Sequence, residues 1–307
     1  LDRCAPALDE VFPEPLLQRY RLEPIQRAVR QIHFPDDRSQ LGLARRRFAF
    51  QELLVMQLAL ALVRRQRDQR SDAAPLPASA RIDARIRRLF TFELTPGQQS
   101  AIAELSADMA QARPMNRLLQ GDVGSGKTVV AVYGMLLAVA HGFQTVLMAP
   151  TEVLARQHWQ TIDRLLSASR VRRGLLLGGM AASARKQLLD DLAAGEMDLV
   201  IGTQALVESD VNFARLGLIV IDEAHRFGVR QRASLKSAAA PHYLVMTATP
   251  IPRTVGMTSF GDLDVTTLRD APPGRQPVNT YLAEPDQRER WWKFVRKKLD
   301  QGRQGYV

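Results

Sequence analysis

The spacing of apolar residues divides the chain into two regions. Between residues 1 and 90 apolar side chains recur at helical spacing, as at Ile25, Val29 and Ile32. No proline interrupts the segment from Leu41 to Arg70, which predicts a single helix about 45 Å long at 1.5 Å per residue. The first region is therefore predicted to be a helical one.

From Phe92 onward short apolar runs alternate with helical segments. These runs predict six strands, at Leu118–Leu119, Thr145–Met148, Gly174–Leu177, Leu199–Ile201, Leu218–Ile221 and Tyr243–Met246. Because the runs are apolar at nearly every position, we expect strands buried on both faces of a mostly parallel sheet that helices flank. The predicted fold class is α/β, with ligands at the carboxyl ends of the strands.

Breaks in the pattern indicate where these segments end. Residues 72–79 contain two prolines and are typical of a linker, and a second linker is expected at residues 271–277. The sheet pattern stops after Gly261, so no further strand is predicted there. An amphipathic helix is predicted from Gln287 to Lys298.

Charge and cysteine content indicate the kind of partner and the cellular compartment that the protein suits. The formal net charge of +10 suits a partner with a polyanionic backbone. Arginines cluster at both ends of the long predicted helix, where they are either solvated or in contact with phosphate. The single cysteine, Cys4, excludes an intrachain disulfide and suits a reducing cytoplasm. The longest apolar run, Leu53 to Val63, is too short to cross a bilayer.

The strongest chemical signal is an octapeptide that matches the phosphate-binding pattern G-x-x-x-x-G-K-[ST]. Its glycines let successive N–H groups point at an anion, and the helix that follows presents its positive end to the same anion. Lys127 is expected to reach the β- and γ-phosphates and Thr128 to hold Mg²⁺. An ordinary glycine-rich turn is the alternative. The predicted nucleotide contacts are Gly121, Asp122, Val123, Gly124, Ser125, Gly126, Lys127 and Thr128.

A pair of carboxylates follows the apolar run that ends at Ile221. On a strand of a nucleotide hydrolase, Asp222 would hold Mg²⁺ and Glu223 would orient and deprotonate the attacking water. Asp222, Glu223 and Lys127 are therefore the predicted catalytic residues. His225 is either a sensor between nucleotide and substrate or a structural hydrogen-bonding partner.

Two interpretations are open for Gln98. With Thr95 as N-cap and Pro96 at the first helical position, it completes a capping box and has a structural role. Alternatively its amide reads adenine, offering a donor and an acceptor to the base, and its position ahead of the phosphate loop favours this role. A single rotamer of Gln98 cannot complete the capping box and contact adenine at the same time.

The order of the motifs resembles that of superfamily 2 helicases and translocases. After the phosphate loop and Asp-Glu-Ala-His comes Met246-Thr-Ala-Thr-Pro250, where Thr247 and Thr249 are placed to couple the γ-phosphate site to a neighbouring domain. Residues 149–155 resemble motif Ia of that superfamily and residues 202–205 motif Ib. The resemblance implies that four residues contact the DNA backbone; each taken alone is better explained as structural, but the group favours DNA contact: Thr151, Arg156, Thr203 and Gln204.

Other stretches resemble a narrower family. Residues 225–229 and 249–254 are similar to sequences shared by RecG-type branch-migration helicases and transcription-repair coupling translocases. Residues 261–265, together with 271–275, and the N-terminal stretch 12–20 are more similar to the RecG type.

The resemblance implies a RecA-like P-loop motor domain at residues 91–275, a helical spacer at 1–90 and the beginning of a second motor domain at 276–307. It implies an ATP-dependent DNA helicase, using ATP and Mg²⁺, that moves on double-stranded DNA and remodels stalled forks and Holliday junctions. The expected partner is branched DNA, held mainly by its backbone. A monomer without membrane contact, in the cytoplasm of a bacterial-type cell near the nucleoid, is expected.

The resemblance also implies parts outside the chain. A wedge domain would precede residue 1, and the arginine finger would follow residue 307, so these residues alone are expected to bind nucleotide weakly and hydrolyse it poorly. The alternatives are a transcription-repair coupling translocase and, of a different class, a non-catalytic DNA-binding module.

Overall fold

The computed structural model describes residues 5–223, 240–248, 263–270, 280–282 and 284–305. The chain divides into two compact units, Leu1–Asp270 and Ala271–Val307. The predicted domain boundaries at residues 90 and 275 stay predictions.

Four α-helices lie within residues 5–90: α1 (Glu14–Tyr20), α2 (Ile25–His33), α3 (Arg38–Asp68) and α4 (Ala80–Arg87). The 31-residue helix α3 confirms the predicted long helix. It begins at Arg38 because the Asp37 side chain accepts a hydrogen bond from the Gln40 N–H at 2.8 Å, which caps the first turn.

Among the described residues, seven parallel strands form one sheet: β1 (Asn116–Gly121), β2 (Gln144–Met148), β3 (Arg173–Leu176), β4 (Leu199–Gly202), β5 (Leu216–Asp222), β6 (His242–Thr247) and β7 (Asp264–Leu268). Their order is β3-β4-β2-β5-β6-β1-β7. All six predicted strands and the α/β class are confirmed.

In the part of the chain that the structure describes, four further helices flank the sheet: α5 (Pro96–Met109), α6 (Lys127–Ala140), α7 (Glu152–Leu165) and α8 (Ala182–Ala194). Two apolar clusters lie on the two faces of the sheet. Neighbouring residues of a strand belong to different clusters, as Val220 does to one and Ile219 to the other, because side chains alternate along a strand. The central strands therefore carry apolar side chains toward both faces of the sheet.

The seventh strand corrects one prediction from the sequence. The expectation that the sheet pattern stops after Gly261 is wrong, since β7 pairs with β1 along its whole length. Only Thr266 and Leu268 of β7 are buried, and the other positions are exposed or half-buried. Because β7 lies at the edge of the sheet, polar residues are tolerated there and no continuous apolar run marks the strand.

Arginines of α3 hold both ends of this helix in place. Arg47 is fully buried, with Nη2 at 2.7 Å from Glu10 Oε1 and its guanidinium 4.1 Å from the centre of the Phe12 ring. At the other end Arg64 Nη2 donates to the Leu263 carbonyl at 3.2 Å, and Arg67 Nη2 lies 3.3 Å from an Asp264 oxygen. Arg47 is therefore a buried structural residue, whereas Arg64 is exposed. Phosphate contact by the arginines at the second end of α3 stays a prediction.

The predicted linker at residues 72–79 has no helix or strand, yet it is packed firmly. Leu76 is fully buried, and its N–H donates to the Met109 carbonyl at 2.7 Å. The Ala73 N–H donates to the Ala112 carbonyl at 3.0 Å. The segment that follows α3 is therefore bound to the C-terminal end of helix α5 and the residues just after it.

The second unit contains helix α9 (Arg288–Asp300), which confirms the helix predicted there. Its expected apolar face is present, and Trp291, Phe294 and Leu299 are exposed. Among the described residues, no helix is both long and apolar enough to cross a membrane.

Candidate functional site

The phosphate-binding loop connects β1 to α6. Gly124 and Gly126 have φ angles of +78° and +86°, a conformation that a residue with a side chain rarely adopts. Gly126 is also the N-cap of α6, and no side chain caps this helix. The N–H groups of the first turn are therefore oriented for an external acceptor, as an anion site requires.

Close packing behind the loop leaves no room for larger residues. A Cβ atom on Gly126 would collide with Gln98 Nε2. A Cβ atom on Gly121 would lie 2.7 Å from Ser125 Oγ and 2.9 Å from Leu268 Cβ. Strand β7, which supplies Leu268, thus supports the loop from behind.

Two polar groups of the loop fit a phosphate. Lys127 Nζ donates to the carbonyls of Gly121 and Asp122 at 2.7 and 3.0 Å. Burial lowers the pKa of Lys127, although the carboxylates of Asp222, Glu223 and Asp122 act to raise it. Within the described part of the chain, the buried Ser125 Oγ has no hydrogen-bond partner. Phosphate oxygens can satisfy both groups.

The two carboxylates lie at the carboxyl end of β5. Asp222 Oδ2 is 2.7 Å from His158 Nε2 of α7, and each of the two side chains is 13% exposed. Glu223 has a φ of +51°, and its Oε1 accepts a hydrogen bond from the Ala248 N–H at 2.9 Å. Its own N–H donates to the Met246 carbonyl at 3.0 Å. The ends of β5 and β6 are therefore connected through Glu223.

Strand order brings these groups to one edge of the sheet. Strand β6 lies between β5 and β1, with Asp222 opposite Met246 and Gln120 opposite Thr247. The phosphate loop, both carboxylates and the buried Thr247 therefore share the carboxyl edge of three adjacent strands. Their assigned chemical roles stay predictions.

The donor groups fit Mg²⁺ bound together with a nucleotide. The described residues include no group of three or more His, Cys, Asp and Glu side chains that could hold a metal ion by themselves. Mg²⁺ is usually held by one or two carboxylates, with phosphates and water completing its shell. Asp222 and the Thr128 hydroxyl match that arrangement.

In this structure Gln98 forms the capping box with Thr95. Its Oε1 accepts from the Thr95 N–H at 3.0 Å, and its own N–H donates to Thr95 Oγ1 at 3.2 Å. Its Nε2 donates to the Ser125 carbonyl at 3.0 Å, a contact with the phosphate loop that the sequence does not predict. Because both ends of the amide are engaged, an adenine contact would need another rotamer and stays a prediction.

The predicted nucleic-acid residues follow two neighbouring strands, β2 and β4. These strands are joined beyond their ends, since the Ala149 N–H donates to the Gly202 carbonyl at 2.8 Å. Thr151 caps α7 by accepting from the Leu154 N–H at 3.3 Å. The residues predicted to contact DNA thus occupy the same edge of the sheet as the phosphate loop, displaced toward β4: Thr151, Arg156, Thr203 and Gln204.

His158 is not among the residues that the sequence pattern singles out. It lies on the inner face of α7 with the buried Ala155 and Ile162, which are three positions before it and four after it. A polar side chain on an otherwise apolar helix face was the available signal. Two predicted coupling residues, His225 and Thr249, lie outside the described residues.

Comparisons with known proteins agree with this geometry. Residues 95–258 match the DEAD/DEAH box helicase family. The chain is 42% identical to the ATP-dependent DNA helicase RecG of Synechocystis, covering 98% of this chain and 36% of that protein. It is 41% identical to RecG of Bacillus subtilis, covering 100% of this chain and 45% of that protein. A structure of RecG bound to a three-way DNA junction superposes on 98% of the chain and 41% of that RecG chain, with a TM-score of 0.82 and 38% identity. The chain thus spans less than half of these proteins.

Proposed function

Because the chain belongs to the DEAD/DEAH box helicase family and is homologous over nearly its whole length to RecG helicases, we propose that it is the ATP-binding motor part of an ATP-dependent DNA helicase acting on branched DNA. Stalled forks and Holliday junctions are the proposed substrates. The RecG whose structure superposes on this chain is bound to a three-way DNA junction.

The convergence of motifs at one sheet edge carries this proposal. Lys127 follows β1, Asp222 and Glu223 end β5, and Ala248 follows β6, so a triphosphate in the loop would face both carboxylates. The candidate DNA contacts follow β2 and β4, on the other side of β5. A nucleotide site beside a backbone-binding site on one rigid sheet is the arrangement that a translocating motor needs.

Each residue has a proposed role in hydrolysis. Lys127 and the loop N–H groups bind the phosphates, and Glu223 orients the attacking water and accepts its proton. Asp222 and Thr128 would hold Mg²⁺, which neutralises charge on the phosphates when bound. Gln98 is the proposed adenine reader, and Thr247, Thr249 and His225 are the proposed coupling residues.

The proposed contacts to DNA would not depend on the base sequence of the DNA. Hydroxyl, guanidinium and amide groups bind phosphate oxygens without reading bases, which suits a protein that moves along a duplex. We further propose the domain boundaries at residues 90 and 275, a monomeric state, and action in the cytoplasm, where the DNA of a bacterium lies.

Lys127→Ala in the full-length protein tests the motor. ATP hydrolysis with forked DNA should fall about 100-fold or more, because a donor to the transferred phosphate is lost. Lys186→Ala is the matched control, since Lys186 is an exposed residue of α8. Unchanged hydrolysis and fork remodelling in Lys127→Ala would contradict the proposal.

Two other outcomes identify the alternatives. DNA binding by the wild type without any hydrolysis would indicate a non-catalytic DNA-binding module. Displacement of a stalled RNA polymerase, with no action on synthetic forks, would indicate a transcription-repair coupling translocase.

A further inference from the structure

His158 connects two halves of the sheet edge. The strands followed by the candidate DNA contacts, β4 and β2, lie on one side, and those followed by the nucleotide residues, β5, β6 and β1, lie on the other. Helix α7 follows β2, yet its His158 Nε2 lies 2.7 Å from Asp222 Oδ2 at the end of β5. Each side chain is only 13% exposed, so bulk water competes little for this contact.

The two faces of α7 point to different sites. Arg156 is exposed, whereas His158, two residues later, faces the sheet. At about 100° per residue these side chains are separated by about 200° around the helix axis. The helix therefore places a candidate DNA contact on its outer face and a contact to a candidate metal ligand on its inner face.

The hydrogen bond also restricts Asp222. A carboxylate at this distance accepts from an N–H, so the imidazole presents a proton on Nε2. This donor fixes one carboxylate oxygen and with it the rotamer of Asp222. Groups that orient a metal ligand in this way typically change metal affinity or activity about 10- to 100-fold when they are removed.

We propose that His158 is a positioning residue that links the DNA-contacting helix α7 to the Mg²⁺ ligand Asp222. The inference rests on the proposed function, since it assigns the metal to Asp222 and the DNA to the outer face of α7. A displacement of α7 by bound DNA would be transmitted through His158 to the carboxylate, which gives DNA a route to accelerate hydrolysis.

Metal binding provides the first test, without turnover. Binding of Mn²⁺ to the full-length protein with ADP is measured by electron paramagnetic resonance. His158→Leu should weaken Mn²⁺ binding about 10-fold. His158→Gln should retain most of it, since its amide N–H reaches the same position as Nε2. His158→Asn carries the same amide one methylene shorter and should behave like His158→Leu.

DNA-stimulated hydrolysis provides the second test. His158→Leu and His158→Asn should reduce kcat with forked DNA about 10-fold while leaving DNA affinity without nucleotide unchanged. Gln160→Ala, on the exposed face of α7, is the control and should match the wild type in both assays.

The outcomes separate this inference from the proposed function. Equal Mn²⁺ binding by His158→Asn and His158→Gln, with only a lower melting temperature for both, would assign His158 a structural role and overturn the inference. If His158→Leu does not fold, the Asn and Gln pair still decides. A wild-type protein that never hydrolyses ATP would contradict the proposed function, whereas the Mn²⁺ assay would still report on His158.

Discussion

The Glu223 carboxylate accepts a hydrogen bond from the Ala248 N–H at 2.9 Å, so the proposed catalytic base is attached to the end of β6. Glu223 also has a φ of +51°, which is uncommon for a residue with a side chain. Two neighbouring strands therefore determine where this carboxylate points. A displacement of Ala248 would therefore also displace the Glu223 carboxylate.

Glu223→Gln should separate nucleotide binding from hydrolysis. The amide retains an oxygen to accept from Ala248, but it cannot take a proton from water. ATP hydrolysis should fall about 100-fold or more, which is within the usual contribution of a general base. Binding of a fluorescent ATP analogue should be nearly unchanged, and phosphate release measures the rate. Hydrolysis close to that of the wild type would show that another group is the base.

Gly126→Ala should disable the phosphate loop. The φ of +86° costs a residue with a side chain about 1–2 kcal/mol, and the new Cβ would collide with Gln98 Nε2. We expect a lower melting temperature and loss of nucleotide binding, measured by thermal unfolding and by titration with a fluorescent ATP analogue.

Gly42→Ala is the matched control for this substitution. Gly42 lies in helix α3, and a Cβ atom added there would meet nothing within 4 Å. Alanine should stabilise the helix by about 0.5–1 kcal/mol, since glycine is the poorer helix former. Equal melting temperatures and equal nucleotide affinities for the two alanine variants would show that the phosphate loop does not depend on the positive φ and the close packing of Gly126.

Gln98→Glu tests whether Gln98 reads adenine. The carboxylate can still accept from the Thr95 N–H, so the cap of α5 should persist, but the donor is lost. If Gln98 contacts the base, the KM for ATP should rise about 10-fold, as expected for the loss of a hydrogen bond worth about 1.4 kcal/mol. The KM for GTP should change less. Equal changes for both nucleotides would leave Gln98 with its capping role and its contact to the Ser125 carbonyl.

Breaking the Glu10–Arg47 pair should strongly destabilise the helical region. Glu10→Ala leaves the fully buried Arg47 without its partner and should cost about 3–5 kcal/mol of unfolding free energy. Arg47→Met with Glu10→Ala should recover part of that loss, because no buried charge remains. Urea unfolding measures both. Equal stability of the single and double variants would exclude an uncompensated charge as the cause.

His242 should make the protein less stable in mild acid. Its Nδ1 accepts from the Met115 N–H at 3.0 Å and its Nε2 lies 3.1 Å from the Ala74 carbonyl, so both contacts fit the neutral ring. Burial lowers the pKa of His242 below its usual 6.5, although the Ala74 contact acts to raise it. Below pH 6.5 the unfolded chain binds a proton that the folded chain does not. Stability should therefore fall as the pH is lowered from about 6.5.

The measurement compares the wild type with His242→Leu between pH 7.5 and 5.5. The other histidines contribute equally to both proteins, so the difference in slope reports His242. This difference in slope should be no more than about 1.4 kcal/mol per pH unit. Parallel stability curves would show that the pKa of His242 is the same in the folded and unfolded chains.

Prediction from the sequence succeeded where the signal is contained in a short segment. The five strands inside the sheet are marked by apolar runs, because a strand buried on both faces needs apolar residues at most positions. The exposed edge strand β7 has no such mark, and it was missed. Arg47 shows the same limit, since an arginine cluster gives no indication that one member is buried against Glu10.

The amino-acid sequence by itself determined the phosphate loop, the two carboxylates at the carboxyl end of β5 and the parallel sheet, since each depends on the local order of residues. Only the tertiary structure decided which residues meet. His158 with Asp222, Gln98 with Ser125, and Glu223 with Ala248 are contacts between separate segments of the chain. The order of strands in the sheet creates these contacts, and that order follows from the packing of the whole unit rather than from any one segment.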